Sequence, residues 1–162
     1  YSPYVALHFA TCDFTQFKKD GVIWAINYVD SKSHLPDQLK YIIEDEGSHI
    51  FTPEMLDKAT NSLEKLQQLK KEEFVVFFEP PSIDQRIVNQ YAVFSMMSNP
   101  DRQLDDWLEA KEVRHFKIII PAELKWEIRD KLDQSNINER VLFPGLDGLA
   151  TWLKRHYKDI RR

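Results

Sequence analysis

Arg86, Asn89 and Gln90 are the residues whose types and spacing point most directly to a polar site. They fall near the end of a short predicted helix in Pro80-Pro81-Ser82-Ile83-Asp84-Gln85-Arg86-Ile87-Val88-Asn89-Gln90. An arginine gives a bidentate contact to a phosphate or carboxylate, and amides give orientation. The same side chains are also suited to satisfying backbone groups at a helix end. Ser2, with Tyr4 and His8, forms a second constellation. Ser2-Pro3 reads as an N-cap and first helical position, and a helix N-terminus carrying a hydroxyl suits an anion. If both groups lie at one edge of a sheet, they flank a cleft for a phosphate-bearing ligand.

Other reactive residue types form weaker patterns. Cys12 follows His8 by four positions and shares its helix face. A Cys–His nucleophile also needs an orienting third group, so packing as a small apolar side chain is the plainer reading. His49 lies near Glu44, Asp45 and Glu46, but no helical spacing joins them, and a solvated acidic loop is expected rather than a metal site. Asp105 and Asp106 are adjacent and diverge on a helix, which excludes an acid–base dyad. With four glycines in the chain, a glycine-rich phosphate loop is also excluded.

The elements that must position these groups follow from hydrophobic period and turn chemistry. The run from Phe74 to Phe78 predicts a buried strand, ended by Pro80-Pro81. Ser82 is expected to cap the next helix, with Ile83, Ile87 and Val88 on its apolar face. Tyr91 to Met97 predicts a further strand. Upstream, Tyr4 to Cys12 reads as a helix with Val5, Ala6, Phe9 and Ala10 inward. Val22 to Val29 reads as a strand covered on both faces. Leu35 to Ile43 is partly helical, and Thr52-Pro53 opens a long amphipathic helix to about Lys70. Downstream come a short helix presenting Trp107, a strand at Phe116 to Ile120, and a helix from Pro121 to Leu132 with Leu124, Ile128 and Leu132 inward. The final helix is expected to turn Leu149, Trp152, Leu153 and Tyr157 inward. Strands and helices interleave, giving an α/β or α+β class with a mixed sheet of about four strands flanked by helices.

The 162 residues, 43% hydrophobic and 30% charged, fit a single globular domain over 1–162. No apolar run approaches the roughly 20 residues that span a bilayer, so no membrane association is expected. A single cysteine cannot form an internal disulfide and fits a cytoplasmic setting. A net charge of -4 argues against general nucleic-acid binding. The last nine residues carry +4 and the remainder -8, from Lys154, Arg155, Lys158, Arg161 and Arg162 against Asp159. Cations there complement a helix dipole; a phosphate-binding tail is the alternative.

Four blocks of the chain resemble the C-terminal part of the bacterial FRG domain. They are Ser2-Pro3-Tyr4-Val5-Ala6-Leu7-His8-Phe9-Ala10; Asp20-Gly21-Val22-Ile23-Trp24-Ala25-Ile26-Asn27; Pro80-Pro81, Arg86-Ile87, Asn89-Gln90 and Phe94; and Leu142-Phe143-Pro144-Gly145-Leu146-Asp147-Gly148-Leu149-Ala150. Their order and spacing cover most of the chain. The family's naming Phe/Tyr-Arg-Gly motif and its Leu-Leu-Asp-Trp-Thr run are missing, so the chain is expected to be the C-terminal portion of a longer protein. The element order is in turn similar to the ADP-ribosyltransferase fold, of which this would be an incomplete version.

The resemblance implies a site for NAD or a related nucleotide, without a metal, in the toxic or effector part of a defence or toxin–antitoxin system. Arg86 would hold phosphate, Asn89 and Gln90 would orient a ribose or amide, and Ser2 would form the opposite wall. Gln90 takes the catalytic position, where that fold often carries a glutamate that stabilises an oxocarbenium-like transition state. An amide cannot supply that charge, so the resemblance implies nucleotide binding more directly than turnover. A protein partner or antitoxin is the other implied partner. The competing reading is a non-catalytic interaction domain, in which exposed Trp107 or Trp126 marks a partner surface.

Overall fold

The computed structural model describes residues 2–157. It is of mixed α+β class, with four strands flanked by helices. The strands form two antiparallel pairs, β1 (Gly21–Ile26) with β4 (His115–Ile120), and β2 (Val75–Phe78) with β3 (Phe94–Met97). The chain divides into two compact units. One comprises residues 1–23, 82–92 and 117–162; the other comprises 24–81 and 93–116. The boundary falls within β1 and β4.

The second unit is built on an apolar core. β2 pairs with β3 from Val75↔Met97 to Phe78↔Phe94. Alternation along the strand sends Phe74 and Val76 to one side and Val75 to the other. The first side packs with Leu39, Ile42 and Ile43 of α2 (Asp37–Asp45), Met55 of α3 (Pro53–Ala59) and Leu66 of α4 (Leu63–Gln68). The second packs with Val113 and with Trp107 and Leu108 of α6 (Leu104–Ala110). Burial on both faces explains why β2 has no polar alternation.

Two expectations about this unit need correction. The long helix to Lys70 is two helices, because Thr60 turns extended and Ser62 caps α4 by accepting from the Lys65 N–H at 3.2 Å. Trp107 is buried, and its Nε1–H donates to the Glu73 carbonyl at 2.9 Å, so it marks no partner surface. The β1 segment also departs from expectation, since Val22 and Trp24 are exposed. In a two-stranded sheet every strand is an edge.

The first unit has a different interior. It contains α1 (Pro3–Thr11), α5 (Gln85–Asn89), α7 (Lys125–Gln134), α8 (Glu139–Leu142) and α9 (Leu146–His156). Its buried set includes His8, Thr11, Lys125, Arg129, Asn138, Glu139 and Arg155 beside Val5, Ile120, Leu132 and Leu142. The inward stripe of α7 is Lys125, Arg129 and Leu132, with Ile128 half-buried and Leu124 exposed. On α9, Gly148 and Arg155 face inward, while Leu149, Leu153 and Tyr157 are exposed. On α1 the buried residues are Val5, His8 and Thr11, and Phe9 is exposed. Partners from other elements, invisible to hydrophobic spacing, hold His8 to Arg129, Arg129 to Glu139, Arg155 to Asp133 and Glu139, and Lys125 to the Gln16 carbonyl.

Close backbone approach fixes two glycines. A Cβ on Gly148 would stand 1.8 Å from the Phe143 carbonyl oxygen, which locks α9 against α8. A Cβ on Gly21 would stand 2.8 Å from the Ala10 carbonyl oxygen, which sets β1 beside α1.

Candidate functional site

α5 is short and is capped by Asp84, whose carboxylate accepts from the Arg86 N–H at 2.7 Å. Ser82 therefore does not cap it. Ile83 and Val88 are exposed, so the expected apolar face is not buried. What α5 supplies is a set of polar ties to α8. The Asn89 amide donates to the Val141 carbonyl at 2.7 Å, and the Gln90 amide to the Leu142 carbonyl at 3.0 Å. These carbonyls belong to the last turn of α8, where no further helical N–H reaches them. The Arg86 guanidinium stands 5.2 Å from the centre of the Phe143 ring, a cation–π distance. Ser2 caps α1, its hydroxyl accepting from the Val5 N–H at 3.4 Å. Asn89, Gln90 and Arg86 thus converge on the α8 terminus, and Ser2 acts within its own helix.

Beneath that terminus lies a buried charge network. The Arg129 Nη2 donates to Glu139 Oε1 at 2.7 Å, and its Nη1 donates to His8 Nδ1 at 2.8 Å. Arg155 donates to Glu139 from Nε at 2.9 Å and from Nη2 at 2.8 Å, and it also makes a bidentate pair with Asp133. Two guanidinium groups therefore offset two carboxylates in a region from which water is largely excluded, and each charge is hydrogen-bonded.

The network sets the protonation of its members. Burial lowers the His8 pKa to about 4, and the Arg129 charge acts in the same direction against Glu139. Burial alone would raise the Glu139 pKa, but the Arg155 hydrogen bonds and both guanidinium charges hold it below the usual carboxylate range. Burial would likewise lower Arg155, yet Asp133 and Glu139 keep it above the ordinary arginine value. Arg129 is shifted down by burial and stays cationic, as guanidinium groups do.

A cavity of about 460 Å³ opens against this network, in the size range of small-ligand pockets. α1 and the loop after it contribute His8, Cys12, Asp13, Phe14 and Thr15; α8 and its C-terminal residue contribute Glu139 and Phe143; α9 contributes Asp147, Gly148, Thr151, Lys154 and Arg155. Phe14 is stacked on Trp126, with centroids 5.4 Å apart and planes at 18°. The Asp13 carboxylate accepts from the Thr15 N–H at 2.9 Å and from its hydroxyl at 2.7 Å, which holds its pKa below the carboxylate norm. Cys12 is half-buried, and burial pushes its thiol up, away from a nucleophilic thiolate.

None of Ser2, Arg86, Asn89 and Gln90 lines this cavity. Arg86 touches Phe143, which does, and Asn89 and Gln90 fix the turn that carries it. Arg129 and Glu139, which sequence reading passed over, hold the cavity's inner wall. The signal that could have found them is a buried-helix stripe carrying charge at 125 and 129.

Among the described residues no group of three His, Cys, Asp or Glu side chains is arranged to hold a metal ion. His49 is 3.4 Å from Lys32 Nζ through its Nδ1. Among the described residues no helix is long and apolar enough to cross a membrane. Lys158, Arg161 and Arg162 of the basic tail lie outside the described residues, and Arg155 is withdrawn from it by its ion pairs. No protein-family model matches the chain, and neither a curated protein nor a solved structure shows significant similarity to it.

Proposed function

We propose that residues 1–23, 82–92 and 117–162 form a binding module for a nicotinamide nucleotide, NAD or its mononucleotide. The observation that carries this reading is the composition of the 460 Å³ cavity, which combines aromatic walls, carboxylates and one lysine outside the ion-pair network. Phe14 and Phe143 offer ring faces to a flat ligand. With Glu139 offset by its guanidinium partners, Asp13 and Asp147 against Lys154 leave the cavity an acidic balance that favours a cationic ring over an anionic one, and cation–π attraction adds to it. Lys154 forms no ion pair among the described residues and is placed to meet a phosphate. A pyridinium ring bearing a phosphorylated ribose combines these demands in one molecule.

The resemblance to FRG domains, and through them to ADP-ribosyltransferases, supports the same ligand class and a role as effector in a defence or toxin–antitoxin system. In this reading Gln90 and Asn89 are positioning residues. They hold the α8 terminus, and with it Phe143, instead of acting on the ribose. Ser2 serves through α1, which carries His8 and leads into Asp13 and Phe14.

Isothermal titration of the chain with NAD, nicotinamide mononucleotide and AMP tests this. The expected result is saturable binding of the two nicotinamide compounds, weakened by Phe14→Ala and by Lys154→Glu, with AMP bound less tightly. Absence of saturable binding at millimolar NAD and mononucleotide would reject the proposal.

One observation favours the interaction-domain reading. The amides of Asn89 and Gln90 are committed to backbone carbonyls, and Ile83, Val88 and Tyr91 around α5 are exposed. On that reading Ile83→Asp and Val88→Asp abolish partner capture without altering the fold, and nucleotides do not bind.

A further inference from the structure

α9 is amphipathic with a polar side turned inward. Gly148 and Arg155 are its buried residues, and Arg155 is held there by Asp133 and Glu139. On the opposite side Leu146, Leu149, Leu153 and, at the C-cap, Tyr157 recur at intervals of three and four residues and form one stripe along the helix. Leu146 is 82% exposed, Leu149 37%, Leu153 38% and Tyr157 85%. Folding of the first unit therefore leaves this helix with an uncovered apolar face. Single exposed apolar side chains need no explanation, but a contiguous row on one element marks a docking surface.

The borders of the stripe are basic. By helical position Lys154 falls on one border and His156 on the other. The His156 ring lies 4.3 Å from the Trp152 ring, and the Arg140 guanidinium of α8 stands over Trp152 at 4.9 Å. Neither Lys154 nor Arg140 forms an ion pair among the described residues. Asp147 is the single acidic residue of α9. The bias extends to the whole unit. It carries 13 Lys and Arg against 10 Asp and Glu, and the other unit 9 against 16, which together make the chain's 22 and 26. Lys158, Arg161 and Arg162, outside the described residues, belong to that excess in the sequence.

We propose that the outer face of α9 docks the first unit on an anionic lipid surface, with Leu146, Leu149, Leu153 and Tyr157 set into the headgroup layer and Lys154 and Arg140 against lipid phosphates. Charge complementarity and shape choose this occupant. The stripe is the convex side of one helix, and none of its four residues lines the cavities of about 460, 420, 310 and 270 Å³. A partner helix needs a groove to seat its side chains, whereas a fluid bilayer conforms to a ridge. A second copy of the chain would set basic border against basic border. Apolar burial and attraction to anionic lipids together set the strength of such interfacial binding. The lack of a bilayer-spanning run argues against insertion, not against a helix lying in the interface plane. No residue of the stripe lines the proposed nucleotide cavity, so the two proposals fail separately.

Sedimentation of the whole chain with vesicles of phosphatidylglycerol and phosphatidylcholine tests the proposal, with pure phosphatidylcholine as the uncharged control. The expected result is binding to the anionic vesicles that added salt weakens. Leu146→Asp and Tyr157→Asp, at two well-exposed positions, should each lower the partition about tenfold. Arg140→Gln should lower it about fivefold. A measurement on the wild type guards against a misfolded variant: bicelles of the same lipids with a paramagnetic headgroup should broaden the amide signals of residues 146–157 before all others. No sedimentation, equal partition of wild type and Leu146→Asp, or broadening centred elsewhere would overturn the proposal. So would a concentration-dependent dimer that Leu146→Asp dissolves, without vesicle binding, which would assign the face to a second copy.

Discussion

Acid should destabilise the first unit through a single imidazole. His8 Nδ1 accepts from Arg129, and the groups facing the ring are Arg129, Glu139, Arg155 and the Ile137 backbone. Protonating Nδ1 would break the Arg129 bond and place a third cation beside two guanidinium groups. The ring's pKa is accordingly lowered from 6.5 to about 4. The unfolded chain therefore takes up the proton first as pH falls, so this contribution to stability is complete above about pH 6.5 and is lost progressively toward pH 4. Linkage gives a loss of about 2 kcal/mol at pH 5, with a limit of about 3 kcal/mol once both states are protonated. The slope at pH 5 is about 1.2 kcal/mol per pH unit, close to one proton taken up on unfolding.

The assay is amide exchange of α1 and α7, followed from pH 7.5 to 5 in the wild type and in His8→Gln. These helices report on the first unit and exclude His34, whose pKa in the other unit is also lowered, chiefly by burial. The wild type should lose protection with the calculated slope, and the variant should be flat over that range. Direct observation of the His8 ring should give a titration midpoint near 4. A midpoint above 6, or an equal slope in the variant, would refute the reasoning.

Other consequences concern the same unit. Glu139→Gln leaves Arg129 and Arg155 facing Asp133 alone, and should destabilise the unit by about 3–5 kcal/mol in urea denaturation, the cost of breaking a buried pair; a loss under 1 kcal/mol would mean that water reaches the network. Gly148→Ala puts a Cβ 1.8 Å from the Phe143 oxygen, and at least about 3 kcal/mol of destabilisation is expected because backbone, not a side chain, must move; an unchanged thermal midpoint would contradict the packing of α9 on α8. Asn89→Ala and Gln90→Ala should each cost about 1 kcal/mol through a lost hydrogen bond while nucleotide binding persists. Loss of binding at unchanged stability in Gln90→Ala would return that residue to a direct role.

Local chemistry was readable from the sequence where the partner is near in the chain. Ser2-Pro3 and Thr52-Pro53 each begin a helix as their cap chemistry requires. β2 is legible because burial on both faces leaves an uninterrupted apolar run. Ser82 was a reasonable cap, but Asp84 is the better acceptor two residues later, and Ser62 gave a second cap inside an otherwise continuous apolar period. The interior of the first unit was not legible. Hydrophobic spacing assigns Leu149, Leu153 and Tyr157 inward, whereas Arg155 occupies that position because Asp133 and Glu139 lie opposite it. His8 meets Arg129 across 121 residues, and neither residue alone signals a partner. Of the residues singled out in α5 for a phosphate or ribose, Asn89 and Gln90 donate to carbonyls at the end of α8 and Arg86 lies over the Phe143 ring, contacts made with residues more than fifty positions away that local spacing does not reveal.

The central claim is that the cavity bounded by α1, α8 and α9 binds a nicotinamide nucleotide. Backbone amide shifts of the chain during titration with nicotinamide mononucleotide test it most directly. The account predicts saturable shifts concentrated at Asp13 to Thr15, Phe143 and Asp147 to Thr151. Shifts confined to the unit containing β2 and β3, or none at millimolar ligand, would contradict it.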